Sequence, residues 1–191
     1  MPFDLTENQN KNESVLFVDL VCIDNFLVVE KYPEEDSDQQ ASETFKARGG
    51  NAANNCTVLA QIFRDVTFLG TLPKPTFGNQ YEFIVNDFKA NNIKVSEFCP
   101  IRHGDSWPEA VVIISRESGS LTIIYNPGEQ EPLKVSEFVL ALESILLYFK
   151  WIHFEARSFV KDMLVYLLSD RKVASKIVSI EIKRLIKALK I

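Results

Sequence analysis

A pair of glycines followed by three asparagines is the feature that most limits how this chain can fold. Residues 48–56 read RGGNAANNC. Because glycine tolerates positive φ angles, Gly49 and Gly50 allow a tight backbone turn that larger residues would block. Asn51 comes next and is a suitable helix N-cap. Apolar residues then recur at helical spacing, which predicts a buried helix over residues 51–63.

The two asparagines of this stretch could also bind a ligand. Asn51 and Asn54 are three residues apart, so their amides share one face of the first helical turn. Amides donate and accept hydrogen bonds, and glycine lets a ligand approach the backbone, which suits a polyhydroxy compound such as a sugar. A glycine turn capped by asparagines, with no ligand, explains these residues at least as well. The surrounding chain has to distinguish the two interpretations.

A second candidate residue follows the first apolar segment of the chain. Residues 15–22 form a nearly continuous apolar run, which predicts a strand covered on both faces. The run ends at Ile23-Asp24, and ligands of open α/β sheets lie beyond the carboxyl ends of the strands. Asp24 is therefore predicted to accept hydrogen bonds from two adjacent hydroxyls. A loop aspartate that caps a backbone amide is an equally consistent interpretation.

The rest of the chain alternates apolar strands with amphipathic helices. Strands are predicted at 66–69, 150–154 and 177–182, and helices at 78–92, at 136–146 after a capping Ser136, and at 160–168 after a capping Ser158. This alternation predicts a doubly wound, mostly parallel α/β sheet. Four further strands (26–29, 44–48, 110–114 and 121–125) fall outside it and predict a small separate sheet. The last two form a hairpin.

Composition limits the classes of partner and the compartment. The 191-residue chain has a formal net charge of −5, which argues against nucleic-acid binding. No apolar run approaches membrane-spanning length. Cys22, Cys56 and Cys99 are widely spaced in apolar surroundings, so we expect small core residues in a reducing compartment, the cytoplasm. Residues 1–13 are expected to be a flexible lead-in, and residues 183–191 a short basic tail.

Several motifs together resemble the ribokinase/PfkB family of sugar kinases. The family's first signature is matched by Gly49-Gly50-Asn51-Ala52-Ala53-Asn54, closing at Gly70. Residues 30–37, 54–59, 118–120 and 150–155 resemble the branch of the family that phosphorylates ketohexoses. The resemblance covers about residues 15–182, most of the chain.

The resemblance implies a fold, a reaction and a set of contacts. It implies a ribokinase-like domain over residues 14–182, with a four-stranded lid, inside 26–48 and 110–125, that can serve as a homodimer clasp. ATP, assisted by Mg²⁺ and K⁺, would phosphorylate a ketohexose such as fructose to its 1-phosphate. The positions expected to contact the sugar are Asp24, Gly49, Gly50, Asn51, Asn54 and Arg157.

The sequence also departs from the family. The Gly-Ala-Gly-Asp loop, which in the family supplies the catalytic base and the anion hole, is absent from these 191 residues. Leu121 stands where the branch has an arginine that reaches the nucleotide, and Ala156 replaces a glycine. We therefore expect a kinase truncated at its C-terminus and inactive alone, and leave open that it binds no cofactor. A non-catalytic relative that binds sugar or dimerises is the alternative, and a ribose or nucleoside kinase is a weaker one.

Overall fold

The computed structural model describes residues 14–63, 65–75, 79–104, 106–169, 173 and 175–181. The expectations for residues 1–13, for Gly78, for Ile182 and for the tail at 183–191 lie outside these residues. The strands are β1 (Val15–Val18), β2 (Cys22–Val29), β3 (Glu43–Gly49), β4 (Val66–Leu69), β5 (Leu72–Pro73), β6 (Lys94–Val95), β7 (Ile101–Arg102), β8 (Glu109–Ser115), β9 (Leu121–Asn126), β10 (Trp151–Glu155) and β11 (Ile177–Glu181). The helices are α1 (Asn51–Ala60), α2 (Gln80–Ala90), α3 (Val135–Ile145) and α4 (Val160–Ser169), with a 3-10 turn at Leu146–Tyr148.

The main sheet is parallel and has helices on both faces. Its five strands lie in the order β11-β10-β1-β4-β6, and every neighbouring pair is parallel. In β10, Phe154 packs against Phe138 of α3, whereas the next residue, Glu155, accepts a hydrogen bond from Asn51 of α1. Successive strand residues point to opposite faces, so α1 and α3 cover different sides. The predicted α/β architecture is confirmed, with the two-residue β6 added.

The four strands outside the α/β alternation form a separate sheet, called the lid sheet here. Their order is β3-β2-β8-β9. The two outer pairs are antiparallel, and the central pair, β2 with β8, is parallel. A further pair of two-residue strands, β5 and β7, lies apart from both sheets.

The core lies on the two faces of the main sheet. Its largest fully buried side chains include four phenylalanines, two of which, Phe68 of β4 and Phe88 of α2, stack with ring centroids 4.9 Å apart. All three cysteines are buried and free, as expected for core residues. Within the described part of the chain, no helix has the length and apolar character needed to cross a bilayer.

The first strand is shorter than predicted. The apolar run at 15–22 is divided, because β1 ends at Val18 and β2, in the lid sheet, begins at Cys22. The chain turns between them at Asp19, which is fully buried beside Arg157. Leu20 and Val21 are apolar although they lie in the turn, so Asp19 is the one polar residue that marks the end of the strand. Asp24 therefore lies inside a lid strand and not at the carboxyl end of a central strand.

The predicted helix starts also differ. Helix α1 begins at Asn51 itself, and the residue before it, Gly50, has a φ of 100°. Asn51 is therefore not the N-cap, and its side chain is free to bond elsewhere. The helix ends at Ala60, and Ile62 beyond it is 76% exposed. Ser136 lies inside the first turn of α3, and α4 begins at Val160, two residues after Ser158, so neither serine has the predicted capping position.

Candidate functional site

The candidate site begins with the packing of Asp24 on a glycine. A Cβ atom built on Gly49 would lie 2.5 Å from the Cγ atom and from both carboxylate oxygens of Asp24. The thiol of Cys22 donates a hydrogen bond to Asp24 Oδ1 at 3.6 Å. Burial raises the pKa of Asp24, and the Cys22 hydrogen bond and the charge of Arg48 oppose that rise. Gly49 thus allows a carboxylate to lie directly on the backbone that enters α1.

The second glycine is required by the backbone itself. Gly50 has a φ of 100°, in the region that side chains disfavour. A Cβ atom there would lie 2.6 Å from the carbonyl oxygen of Leu20. The turn after β1 and the turn before α1 are therefore in direct contact, which places the start of α1 at the carboxyl end of β1.

Asn51 reaches the carboxyl end of the neighbouring strand. Its Nδ2 atom donates to Glu155 Oε1 at 2.5 Å, and Glu155 is buried as the last residue of β10. Burial alone would raise the pKa of Glu155, but hydrogen bonds from Asp19 and Asn51 and the charge of Arg157 hold that pKa below its usual value. Glu155 is therefore an ionised acceptor.

Arg157 forms ion pairs with two buried carboxylates. Its Nε atom lies 2.8 Å from Asp19 Oδ1, and its Nη2 atom lies 3.2 Å from Glu155 Oε2. Burial, together with a hydrogen bond to Glu155, raises the pKa of Asp19 well above its usual value. One guanidinium lies between two carboxyl groups, so this cluster has no net positive charge.

Asn54 is bound to a second buried arginine. Arg48 Nη1 donates to Asn54 Oδ1 at 3.3 Å, and Arg48 Nε lies 2.5 Å from Asp87 Oδ1 in α2. Arg48 Nη2 donates to Thr57 Oγ1, and the guanidinium carbon lies 4.8 Å from the centre of the Phe88 ring. Arg48 therefore ties α1 and α2 to the end of β3.

The structure thus brings the sequence-predicted residues to one short segment. Asp24 packs on Gly49, Gly50 turns the chain, and Asn54 is joined to residue 48. Through Glu155, Asn51 is connected to Arg157. A cleft of about 440 Å³ is lined by Leu20, Thr71, Tyr125, Gln130, Ala156, Arg157 and six other residues of the described chain, with Phe159 among these; Arg157 is the one sequence-predicted site residue in this lining. A second cleft, of about 280 Å³, includes Asp65 and Tyr148 and shares no residue with this site.

Two residues of the site were not predicted. Asp19 and Glu155 are the charged residues at the carboxyl ends of β1 and β10. The rule that selected Asp24 would have selected Asp19 if the end of the strand had been placed correctly. Glu155 belongs to the segment 150–155 that resembles the family, and its position at the carboxyl end of a buried strand is the signal for a role in the site.

His153 does not belong to the site. It lies on β10, half-buried, with Nδ1 2.8 Å from Ser179 Oγ on β11, and burial lowers its pKa. His153 therefore joins the neighbouring strands β10 and β11. Among the residues that the structure describes, no group of three or more His, Cys, Asp or Glu side chains is placed to hold a metal ion.

Comparisons with known proteins identify the family. The model of the pfkB family carbohydrate kinases matches residues 12–174, so the chain belongs to this family. It is 36% identical to mouse ketohexokinase over 149 residues, which are 78% of this chain and 47% of that protein. The chain therefore spans about half the length of this relative.

Solved structures show the same fold. Ribokinase from Giardia lamblia superposes with a TM-score of 0.68 at 18% identity, covering 88% of this chain and 50% of that one. Ribokinase from Cryptococcus neoformans, solved in complex with ADP, superposes with a TM-score of 0.59 at 14% identity, covering 87% and 48%. The expected ribokinase-like fold, a mostly parallel sheet with a small mixed sheet, is thereby confirmed.

Proposed function

We propose that this chain supplies the sugar-binding part of a kinase that transfers phosphate from ATP to a ketohexose, with fructose 1-phosphate as the product. The proposal rests on three side chains that meet at the segment 48–51, at the start of α1. Asp24 packs on Gly49 of this segment, Asn51 is its last residue, and Asn54 is hydrogen-bonded to its first residue. A carboxylate and two amides are suited to neutral hydroxyls. The identity to mouse ketohexokinase supports a ketohexose as the ligand.

The charges around the site also favour a neutral ligand. Arg48 is paired with Asp87, and Arg157 lies between Asp19 and Glu155. A bound phosphate or carboxylate would need an unpaired cation, because a buried anion without a partner is costly. These two arginines are therefore already paired with carboxylates. A sugar acid or a sugar phosphate should therefore bind more weakly than the parent sugar.

ATP as the phosphate donor, and Mg²⁺ and K⁺ as assisting ions, are inferred from related proteins and not from contacts in this chain. ATP as donor is supported by the ADP complex of the ribokinase from Cryptococcus neoformans. The described residues offer no cluster fit to hold Mg²⁺ or K⁺, so we assign neither ion to a residue of this chain. What Asp24, Asn51 and Asn54 contribute is the binding and orientation of the acceptor sugar.

The lid sheet supports the alternative, a dimerising relative. Phe45, Leu121, Ile123 and Tyr125 are 49%, 55%, 59% and 40% exposed. The strand register places all four on the face of the lid sheet that carries Asp24. Such a large apolar patch on a soluble protein indicates an interaction surface. We propose that a second copy of the chain covers it, which is compatible with sugar binding.

Three free, buried cysteines support a location in the cytoplasm.

Titration calorimetry with fructose tests the sugar site. We expect the 191-residue chain to bind fructose and the Asp24→Asn variant to bind it about 10- to 100-fold more weakly, since a hydrogen bond to a charged group contributes roughly 1.5–3 kcal/mol. Asp38→Asn, at an exposed loop position, is the matched control. Equal affinity of Asp24→Asn and the parent would contradict the site. Tighter binding of ribose than of fructose would favour the ribose-kinase alternative.

A further inference from the structure

Arg48 has a fixed environment beside the candidate site. Its side chain is 3% exposed, and each of its three guanidinium nitrogens has a partner, on Asp87, Asn54 and Thr57. Its guanidinium carbon also lies over the ring of Phe88, 4.8 Å from the ring centre. A guanidinium held on four sides cannot change its orientation without losing several of these contacts. Arg48 therefore fixes the orientation of the side chains to which it is hydrogen-bonded.

The contact with Arg48 determines which way the Asn54 amide is turned. A guanidinium has five N–H donors and no acceptor. The atom of Asn54 that faces it must therefore be the oxygen, as the 3.3 Å contact to Oδ1 shows. The remaining hydrogen-bonding capacity of this side chain lies mainly on its NH₂ group. Toward a ligand, Asn54 is a donor.

Asn51 is turned in the opposite sense by Glu155. An ionised carboxylate only accepts hydrogen bonds, and the pKa of Glu155 is lowered. The atom that faces it must be the amide nitrogen, as the 2.5 Å contact from Nδ2 shows. The oxygen of the Asn51 amide remains as its principal unused group. Toward a ligand, Asn51 is an acceptor.

We propose that Arg48 is a positioning residue that holds Asn54 as a hydrogen-bond donor, opposite in polarity to the acceptor Asn51, so that the site selects neighbouring hydroxyl groups. This inference rests on the proposed sugar-binding function and specifies its ligand. A hydroxyl can donate to Asn51 while the next hydroxyl accepts from Asn54, and Asp24 accepts from further hydroxyls. A carboxylate or phosphate only accepts, so it would meet the oxygens of Asn51 and Asp24 without a hydrogen to share.

The orientation of the Asn54 amide can be observed without a sugar. In a ¹H–¹⁵N spectrum of the 191-residue chain, the Asn54 side-chain NH₂ pair is the pair that disappears in Asn54→Asp. We expect this pair to shift in Arg48→Met, which removes the donor to Oδ1. Thr57→Val is the matched control, because it removes one Arg48 contact and leaves the contact to Asn54. It should shift the pair far less than Arg48→Met does.

Fructose binding by Asn54→Asp tests the donor role separately. An aspartate keeps an oxygen toward Arg48 and forms an ion pair with it, so the free energy of unfolding should equal or exceed that of the parent. The variant has no NH₂ group, and we expect its affinity for fructose to fall at least tenfold. If Asn54 had only a structural role, the more stable variant would bind fructose as the parent does.

The outcomes separate the two proposals. An Asn54 NH₂ pair that does not move in Arg48→Met overturns the role of Arg48, whether or not fructose binds. Parent-like fructose affinity of Asn54→Asp overturns the donor assignment. A parent that binds no fructose, with an NH₂ pair that moves in Arg48→Met, contradicts the proposed function and leaves the positioning role of Arg48 supported.

Discussion

The carboxylate of Asp24 occupies the space that a side chain on Gly49 would need. Gly49→Ala must therefore displace Asp24 or the backbone before α1. We expect the variant to lose about 1–3 kcal/mol of unfolding free energy, as for other overpacked positions, and to lose measurable fructose binding. Urea unfolding and calorimetry give the two values. An alanine variant with parent-like stability and affinity would show that Asp24 does not need this space.

Gly50→Ala should be more costly than a glycine substitution on the lid hairpin. Both Gly50 and Gly119 have positive φ angles, of 100° and 64°. Each alanine variant therefore carries backbone strain, typically about 1–2 kcal/mol. Only at Gly50 does the added Cβ also meet a backbone carbonyl, that of Leu20 at 2.6 Å, whereas nothing lies within 4 Å of it at Gly119. Equal unfolding free energies of the two variants would contradict this difference.

Sequence patterns predicted the architecture well because the main strands are apolar on both faces. β4 was predicted with its observed bounds and β10 within one residue, since their apolar runs are bounded by charged residues or a glycine, and β11 begins at Ile177 as predicted. The first strand was predicted too long because Asp19 is the one charged residue in the run and is itself buried, and the apolar residues Leu20 and Val21 follow it in the turn. The hydrophobic pattern shows which residues are buried, so a turn that contains buried apolar residues gives nearly the same pattern as a strand.

The candidate site was predicted in part. Asp24 was selected as a residue beyond the end of a central strand, a position that Asp19 has. Asn51 and Asn54 were selected for sharing one helix face, but their opposite hydrogen-bonding polarity depends on Glu155 and Arg48. Glu155 is more than one hundred residues away in the chain. A partner so distant in the chain gives no signal in local spacing, and the contact of Arg48 with Asn54, although only six residues apart, depends on how β3 enters α1.

The buried Asp19 should make stability depend on pH. Its pKa is raised by burial and by the bond to Glu155, so the stability it contributes is present at low pH and is lost as the pH rises through its folded-state pKa. Asn cannot ionise, and Asp19→Asn should therefore lack this decline in unfolding free energy, which begins as the pH rises above the ordinary aspartate pKa of 3.8. Glu155, with a lowered pKa, has the opposite effect, but only below its ordinary value of 4.5.

Urea unfolding at a series of pH values above that ordinary pKa, with Asp38→Asn as the control for removing an exposed carboxylate, measures the effect. The control should follow the parent in parallel at every pH. An Asp19→Asn variant that declines with pH as steeply as the parent would mean that Asp19 stays ionised, stabilised by Arg157.

Dimerisation through the lid can be tested on two adjacent residues. Ile123 and Ile124 are 59% and 57% exposed, and they point to opposite faces of β9. Ile123 shares the face of Phe45 and Asp24. We expect Ile123→Lys to abolish the dimer in sedimentation velocity, because a lysine would be buried in the interface, and Ile124→Lys to leave it intact. A monomeric parent, or equal behaviour of the two variants, would contradict the proposed surface.

The purified 191-residue chain should bind fructose and yet phosphorylate it very slowly. Asp24, Asn51 and Asn54 can orient a sugar, but the sequence contains no Gly-Ala-Gly-Asp loop to deprotonate it and to stabilise the transferring phosphate. General-base catalysis typically contributes a factor of about 10²–10⁴. A single preorganised donor to the developing charge contributes about 10²–10³ more. In a coupled ADP-release assay beside mouse ketohexokinase, we therefore expect turnover at least about 10⁴-fold lower, with fructose binding retained in calorimetry. Turnover within about tenfold of that enzyme would mean that residues of this chain supply the base and the anion hole themselves, with the cluster of Asp19, Glu155 and Arg157 as the first place to look for them.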